Sequence, residues 1–386
     1  MMNDDTIEER RIWKINCPLM YNLAHFDTLD WPSFTCQWLP FEEKHEDHTI
    51  YKILLGTHAD EEENKLIYAD YIISNSNEAD SIQINGADNK SRLPLNGKLV
   101  ITKTVNHKGD VNRARYMPQN SSIVATKSSE KDSFIYSDGN CLLTLSGHSD
   151  EGYGISWNQQ VEGRLLTCSF DQTICAFDIS QSAGGSTLNP ARTITGHQDK
   201  VEDVCWHPAE ANIFGSVGDD QRLLIWDYRR KEASSSSGPV QQVVAHAGDA
   251  NCLSWHPVTS CLLLTGGADG LVHLWDQRKL VSALHVFDTE ASVYRVAWSP
   301  LQETLFLSAG LQHKIHIWDV EKIGDDVLSY DEEDRFPAEL AMIHSGHADA
   351  VTDIDWHPYL KATVASVAED NMVNVWQIKD SIFADE

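Results

Sequence analysis

Two sets of carboxylates have types and spacings that could do chemistry together. The first recurs along the chain. Counting back from Tyr116, Trp157, Trp206, Trp255, Trp298 and Trp356, the residue four before is Asn112, Tyr153, Glu202, Asn251, Tyr294 or Thr352, and six before stand Asp110 and Glu151. The second is a contiguous run, Asp331-Glu332-Glu333-Asp334, with Phe336-Pro337 just after it. Carboxylates gathered in a partly dry site hold guanidinium and ammonium groups through charge-assisted, often bidentate hydrogen bonds. Both sets therefore predict capture of a basic peptide. A solvated acidic loop and a water-filled channel mouth would use the same residue types, so the prediction turns on what positions them. Catalysis is not expected: no G-x-S-x-G, P-loop or H-E-x-x-H pattern occurs, and the His45 and His48 pair lies in a charged loop. No metal and no cofactor is expected.

The positioning elements emerge from the tryptophans. Trp157, Trp206 and Trp255 are 49 residues apart, and Trp298 and Trp356 follow, each preceded by alternating apolar residues as in Val201-Glu202-Asp203-Val204-Cys205-Trp206. That is the period of a strand. About twenty residues later come Ile225-Trp226-Asp227, Leu274-Trp275-Asp276, Ile317-Trp318-Asp319 and Val375-Trp376, and upstream of most units stands Gly147-His148, Gly196-His197, Ala245-His246 or Gly346-His347. These marks resemble the WD40 repeat, whose four-stranded units close radially and so remove exposed sheet edges. The resemblance implies a buried hydrogen-bond set in each unit: His197, Ser216, Asp220 and Trp226; His246, Thr265, Asp269 and Trp275; His347, Ser366, Asp370 and Trp376. The unit of His148, Thr167 and Asp171 carries Phe177 for Trp, and the Trp298 unit has Gln312 for Asp and no Gly-His, so both depend more on packing.

With His107–Tyr136 as a weaker unit and Trp31–Ala69 as the first, the expected fold is all-β, a seven-bladed propeller. Thr6-Ile7-Glu8-Glu9 has capping-box spacing, which predicts a helix from Ile7 to Asn16 before Pro18. The expected organisation is a helical segment 1–18 packed on the last blade, a propeller over 19–378 whose strand 19–25 completes that blade, and a C-terminal segment 379–386. Two insertions stand out, the Ser234–Ser237 run and the acidic stretch from Gly324 to Ala338.

With 30 basic and 58 acidic residues the formal charge is -28, which disfavours nucleic acid and anionic lipid and favours a basic partner. The 8 cysteines form no C-x-x-C pair and read as small core residues of a reducing compartment. No signal or transit peptide and no membrane span is expected.

Longer motifs narrow the family. The stretch from Leu29 through Asp30-Trp31-Pro32-Ser33-Phe34-Thr35-Cys36-Gln37-Trp38 to Pro40, with Asn112-Arg113-Ala114-Arg115-Tyr116-Met117-Pro118, Glu151-Gly152-Tyr153-Gly154 and Val201-Glu202-Asp203-Val204, closely resembles the retinoblastoma-binding, histone-binding WD40 chaperones. That resemblance implies a nuclear scaffold with some cytoplasmic pool, working on histones H3 and H4 in chromatin assembly, chromatin modification or centromeric deposition. It would be a single propeller among the other members of a hetero-complex.

It also implies two sites. One is a groove for the first helix of histone H4, formed by Ile12, Ile15, Leu19, Tyr21 and Leu23 with Asp331 to Asp334, Phe336 and Pro337, and by Ile382 and Phe383. Which of Asp331, Glu332, Glu333 and Asp334 would pair with the histone is left open, because Arg335 stands where relatives carry an acid. The other is the narrow face of the ring, where Asp30, His58, Glu62, Asp110, Asn112, Arg113, Glu151, Tyr153, Glu202, Asn251 and Tyr294 would grip a basic tail such as that of H3. A competing reading comes from Trp226-Asp227-Tyr228-Arg229 and Trp275-Asp276-Gln277-Arg278, which resemble the W-D-x-R signature of cullin-linked substrate receptors.

Overall fold

The computed structural model describes residues 4–60, 62–74, 97–182, 185–230, 238–325 and 336–383. Seven sheets form in chain order, and their innermost strands touch one another all the way round, closing the ring. Blade 1 runs through Cys36–Lys44, His48–Gly56, Lys65–Ser74 and Gly97–Asn106, so its outer strand comes from beyond Ala69, where the sequence expectation stopped. Blade 2 has four antiparallel strands and a short fifth, Thr187–Leu188, added in parallel at its outer edge. The Ser234–Ser237 run lies outside the described residues.

The last blade is completed by the other end of the chain. Tyr21–Thr28 pairs antiparallel with Met372–Ile378, with Ala24 opposite Trp376 and Thr28 opposite Met372. Joining both chain ends in one sheet means the ring opens only if that ladder separates. The strand starts at Tyr21 rather than Leu19 because the preceding helix is longer than its capping pattern predicts, running Asp4–Met20 straight through Pro18. A proline there removes only one helical donor, and the carbonyls left over in the last turn find donors outside the helix. Lys379 Nζ donates to Pro18 O at 2.5 Å, and Lys379 N donates to Met20 O at 3.0 Å. Trp13 and Cys17 are buried in the core of the last blade, and Trp13 Nε1 donates to Tyr21 Oη at 3.1 Å. Tyr21 Oη in turn pairs with His344 Nδ1 at 2.8 Å.

Within the blades the four-residue sets close as hydrogen-bond networks. His197 Nδ1 lies 3.0 Å from Asp220, its Nε2 lies 2.7 Å from Ser216 Oγ, and Trp226 Nε1 donates to the same Oγ at 2.8 Å. His246, Thr265, Asp269 and Trp275 repeat this at 2.9 Å throughout. His347, Ser366, Asp370 and Trp376 do so more loosely, with 3.4 Å to the carboxylate and 3.3 Å from the indole. Blade 6, which lacks the histidine, keeps Trp318 Nε1 on Ser308 Oγ at 2.8 Å and packs Phe287 against Phe306 and Trp318, with centroids 4.8 and 5.2 Å away. A buried hydroxyl that serves two partners is costly to remove, since each orphaned group costs about 1–3 kcal/mol. Ser216→Ala is therefore expected to cost about 2–4 kcal/mol in chemical denaturation. A loss below about 0.5 kcal/mol would show that the network contributes little.

Candidate functional site

A strict strand alternates its side chains between two faces, so positions three and four before each inner Trp should point in opposite directions. The inner strands break that rule at one place. Val201 pairs with Gly218 and Asp203 with Val217, leaving Glu202 as an unpaired bulge. The same bulge frees Asn112, Asn251, Tyr294 and Thr352 in their blades. Gly218 permits it, since a Cβ there would meet Lys200 O at 2.1 Å. The bulge re-aims one residue per blade at the channel mouth and leaves the next facing the channel itself.

The mouth is a cavity of about 330 Å³ walled by the rings of Phe34, Tyr153 and Tyr294, with carboxylates from Glu202, Asp219, Asp249 and Glu369 and with Arg113, Asn251 and Thr352 between them. Burial and the neighbouring Asp219 carboxylate push Glu202 up to about 8, and burial and Asp249 raise Asp219. Burial, then Asp349, raises Glu369. These carboxyls sit in a field that already holds too much negative charge, the setting that favours a cationic ligand.

Of the residues the sequence assigned to this face, Arg113, Tyr153, Glu202, Asn251 and Tyr294 line the cavity. His58 stands beside it, stacked on Phe34 with centroids 3.8 Å apart, 3.1 Å from Asn112 Oδ1 and 3.9 Å from Asp110. Asn112 is wholly buried and donates to Gly152 O at 3.1 Å and Glu151 at 3.5 Å, so it braces the rim and cannot grip a ligand. Asp30 and Glu62 are exposed outside the cavity. Phe34, Asp219, Asp249 and Glu369 were missed. Asp249 stands six before Trp255, as Asp110 stands before Tyr116, and Phe34 stands four before Trp38, so the same counting reaches both. Asp219 and Glu369 each precede the turn aspartate of their repeat, a position that nothing in a single sequence marks.

Below the mouth a charged ring fills the channel. Arg113 donates to Asp203 at 3.3 Å, and Arg295 reaches Asp203 at 3.5 Å and Asp353 at 2.9 Å. Arg115 grips both oxygens of Asp353 at 3.1 and 2.9 Å, while the amides of Cys36 and Trp38 donate to Asp353 at 2.9 Å and Asp355 at 2.8 Å. Arg113 is thus a buried counter-charge rather than a peptide contact. Burial alone would raise Asp353, but the guanidiniums of Arg115, Arg295 and Arg113 outweigh it and hold the carboxyl at about 2.

The side groove is different in kind. Ile12, Ile15 and Leu19 share one helix face and are 48, 45 and 71% exposed, opposite the face that buries Trp13 and Cys17. Phe336 and Pro337 are also exposed. Tyr21 and Leu23 are buried in the blade, which corrects their assignment as groove lining: alternation of the strand turns them inward. Ile382 and Phe383 pack half-buried on the last blade's core. Asp331, Glu332, Glu333 and Asp334 lie outside the described residues.

In the W-D-x-R segments both arginines fold back on their own repeat, Arg229 to Asp227 and Arg278 to Asp276, each at 2.7 Å. His45 and His48 stack on each other and pair with Glu43 and Asp47. Among the described residues, no group of three or more His, Cys, Asp or Glu is placed to hold a metal, and no helix is long and apolar enough to cross a membrane.

Comparison with known families bears on both sites. The family of the histone-binding protein RBBP4 and its counterpart in the CAF1 complex matches residues 8–73, which carry the exposed helix face, the closing strand and most of blade 1. The family described as "WD domain, G-beta repeat" matches residues 188–227, 237–276, 281–319 and 339–377. With the helix, the closing strand and the ring in one chain, the protein belongs to the WD40-repeat family of histone-binding proteins.

Proposed function

We propose that this chain is a non-enzymatic histone-binding scaffold that takes the first helix of histone H4 against its N-terminal helix and a basic tail, such as that of H3, at the channel mouth. The observation that carries the reading is the apolar face of Ile12, Ile15 and Leu19, left outside the core within the segment that matches the histone-binding family. An amphipathic partner helix covers such a face, and a basic one complements a chain of charge -28. The setting is the nucleus, within complexes for chromatin assembly, chromatin modification or centromeric deposition, and affinity purification with mass spectrometry assigns which. The folded-back arginines of the W-D-x-R segments lend no separate support to a ubiquitin-ligase receptor.

The test uses a peptide spanning the first helix of H4. Ile15→Asp combined with Leu19→Asp removes two apolar contacts without touching the buried face, and is expected to weaken binding roughly 30-fold in fluorescence anisotropy. Unchanged affinity would sink the groove. These substitutions are cleaner than deleting the helix, which would also strip Trp13 and Cys17 from the core.

A further inference from the structure

Two of the carboxyls at the channel mouth are hydrogen-bonded to each other: Glu202, on the bulge of blade 4, and Asp219, at the end of the neighbouring strand. Two carboxylates both lack a proton to donate, so a hydrogen bond between them requires that the pair hold one. We propose that the Glu202–Asp219 pair keeps one proton while the mouth is empty and yields it when a cationic side chain enters, coupling peptide capture on this face to proton release. The inference rests on the narrow-face reading given above.

The surroundings explain why the proton stays. From blade 5 Asp249 faces the same cavity, and from blade 7 Glu369, itself beside Asp349. Tyr153 and Tyr294 add rings and hydroxyls without charge, and Glu151 adds another carboxylate next to Tyr153. Two cations stand nearby, and neither is free to neutralise the pair. Arg113 lies at the floor with Asp203, and the Lys200 ammonium lies over the Phe170 ring at 4.5 Å. His58 is held on the rim by Phe34, Asn112 and Asp110. Ionising the second carboxyl of the pair therefore adds charge to a half-dry, already negative pocket.

Burial and Asp219 raise Glu202 to about 8, in line with this geometry. The sign follows directly. A carboxyl that is protonated when free and ionised when bound makes binding tighter as pH rises, by at most about tenfold per pH unit for one proton. Below the range where the bound pair ionises, the dependence flattens. The two groups titrate as a pair, so the observable is the number of protons released and not the constant of either residue.

The experiment is calorimetric titration of the full chain with an unmodified H3 N-terminal peptide at pH 7, in buffers of different ionisation enthalpy. Wild-type protein is expected to release about 0.5–1 proton per peptide. In Glu202→Gln an amide donates to an ionised Asp219 without a titrating proton, so binding persists with release near zero and an affinity flat between pH 6 and 8. If that variant binds too weakly to measure, Asp219→Asn carries the same comparison. His58→Gln leaves the carboxyl pair intact and is expected to keep the release. Proton release lost in His58→Gln but retained in Glu202→Gln would overturn the proposal, as would binding by wild type without release. Failure of the wild type to bind the peptide would instead overturn the narrow-face reading itself.

Discussion

Asp353→Ala is expected to destabilise the folded chain by about 3–5 kcal/mol, the cost of leaving buried charges without their counter-ion. Asp353 is fully buried and serves three donors from three blades: both oxygens take the Arg115 guanidinium, one takes Arg295 Nε at 2.9 Å, and one takes the amide of Cys36 at 2.9 Å. Removing it orphans two guanidiniums inside the channel, where water cannot fully replace the carboxylate. The measurement is chemical denaturation followed by circular dichroism. A change below about 1 kcal/mol would show that solvent in the channel screens the ring. The acid side gives an independent check. The guanidiniums hold Asp353 at about 2 against burial, below its unfolded value, so its contribution is complete above about pH 4 and is lost as pH falls towards 2. The variant should lack that part of the acid limb.

The ring also shows why some of this protein can be read in its sequence and some cannot. Repeat marks such as Gly196-His197 and Ile225-Trp226-Asp227 are local, and local spacing reports the blade, its strands and its buried hydrogen bonds. Channel residues obey a second local rule, because the bulge recurs at the same offset from one inner strand to the next, which is how Glu202, Asn251 and Tyr294 were identified. Contacts across the channel follow no such rule. Arg115 and Asp353 are 238 positions apart, and nothing near either residue announces the other. The helix erred for a related reason: Pro18 argues locally for a stop, but Lys379, brought in by ring closure, supplies the donor that lets the last turn survive. Tyr21 and Leu23 were placed in the groove on resemblance, and the strand register turns them into the core.

Reversing charge at the mouth is expected to have the largest effect on binding. In Glu202→Lys combined with Asp249→Lys, two wall carboxylates become cations in the cavity that would take the peptide's own cation. Losing one partner of a desolvated charge pair costs about 2–5 kcal/mol, so affinity for an H3 N-terminal peptide should fall more than about 100-fold. Residual binding should also lose its dependence on salt, because the field that hastens encounter is removed. Glu151→Lys alone should do much less, since Glu151 stands outside the cavity wall and its one contact to Asn112 is long, 3.5 Å. The H4 helix peptide is the internal control. Its groove lies on the N-terminal helix, which packs on the outer part of blade 7 through Trp13 and Cys17 and shares no residue with the mouth. Retained H4 binding with lost H3 binding separates the two surfaces. Loss of both would mean a collapsed ring, and retention of both would mean that the carboxylates at the mouth do not select the ligand.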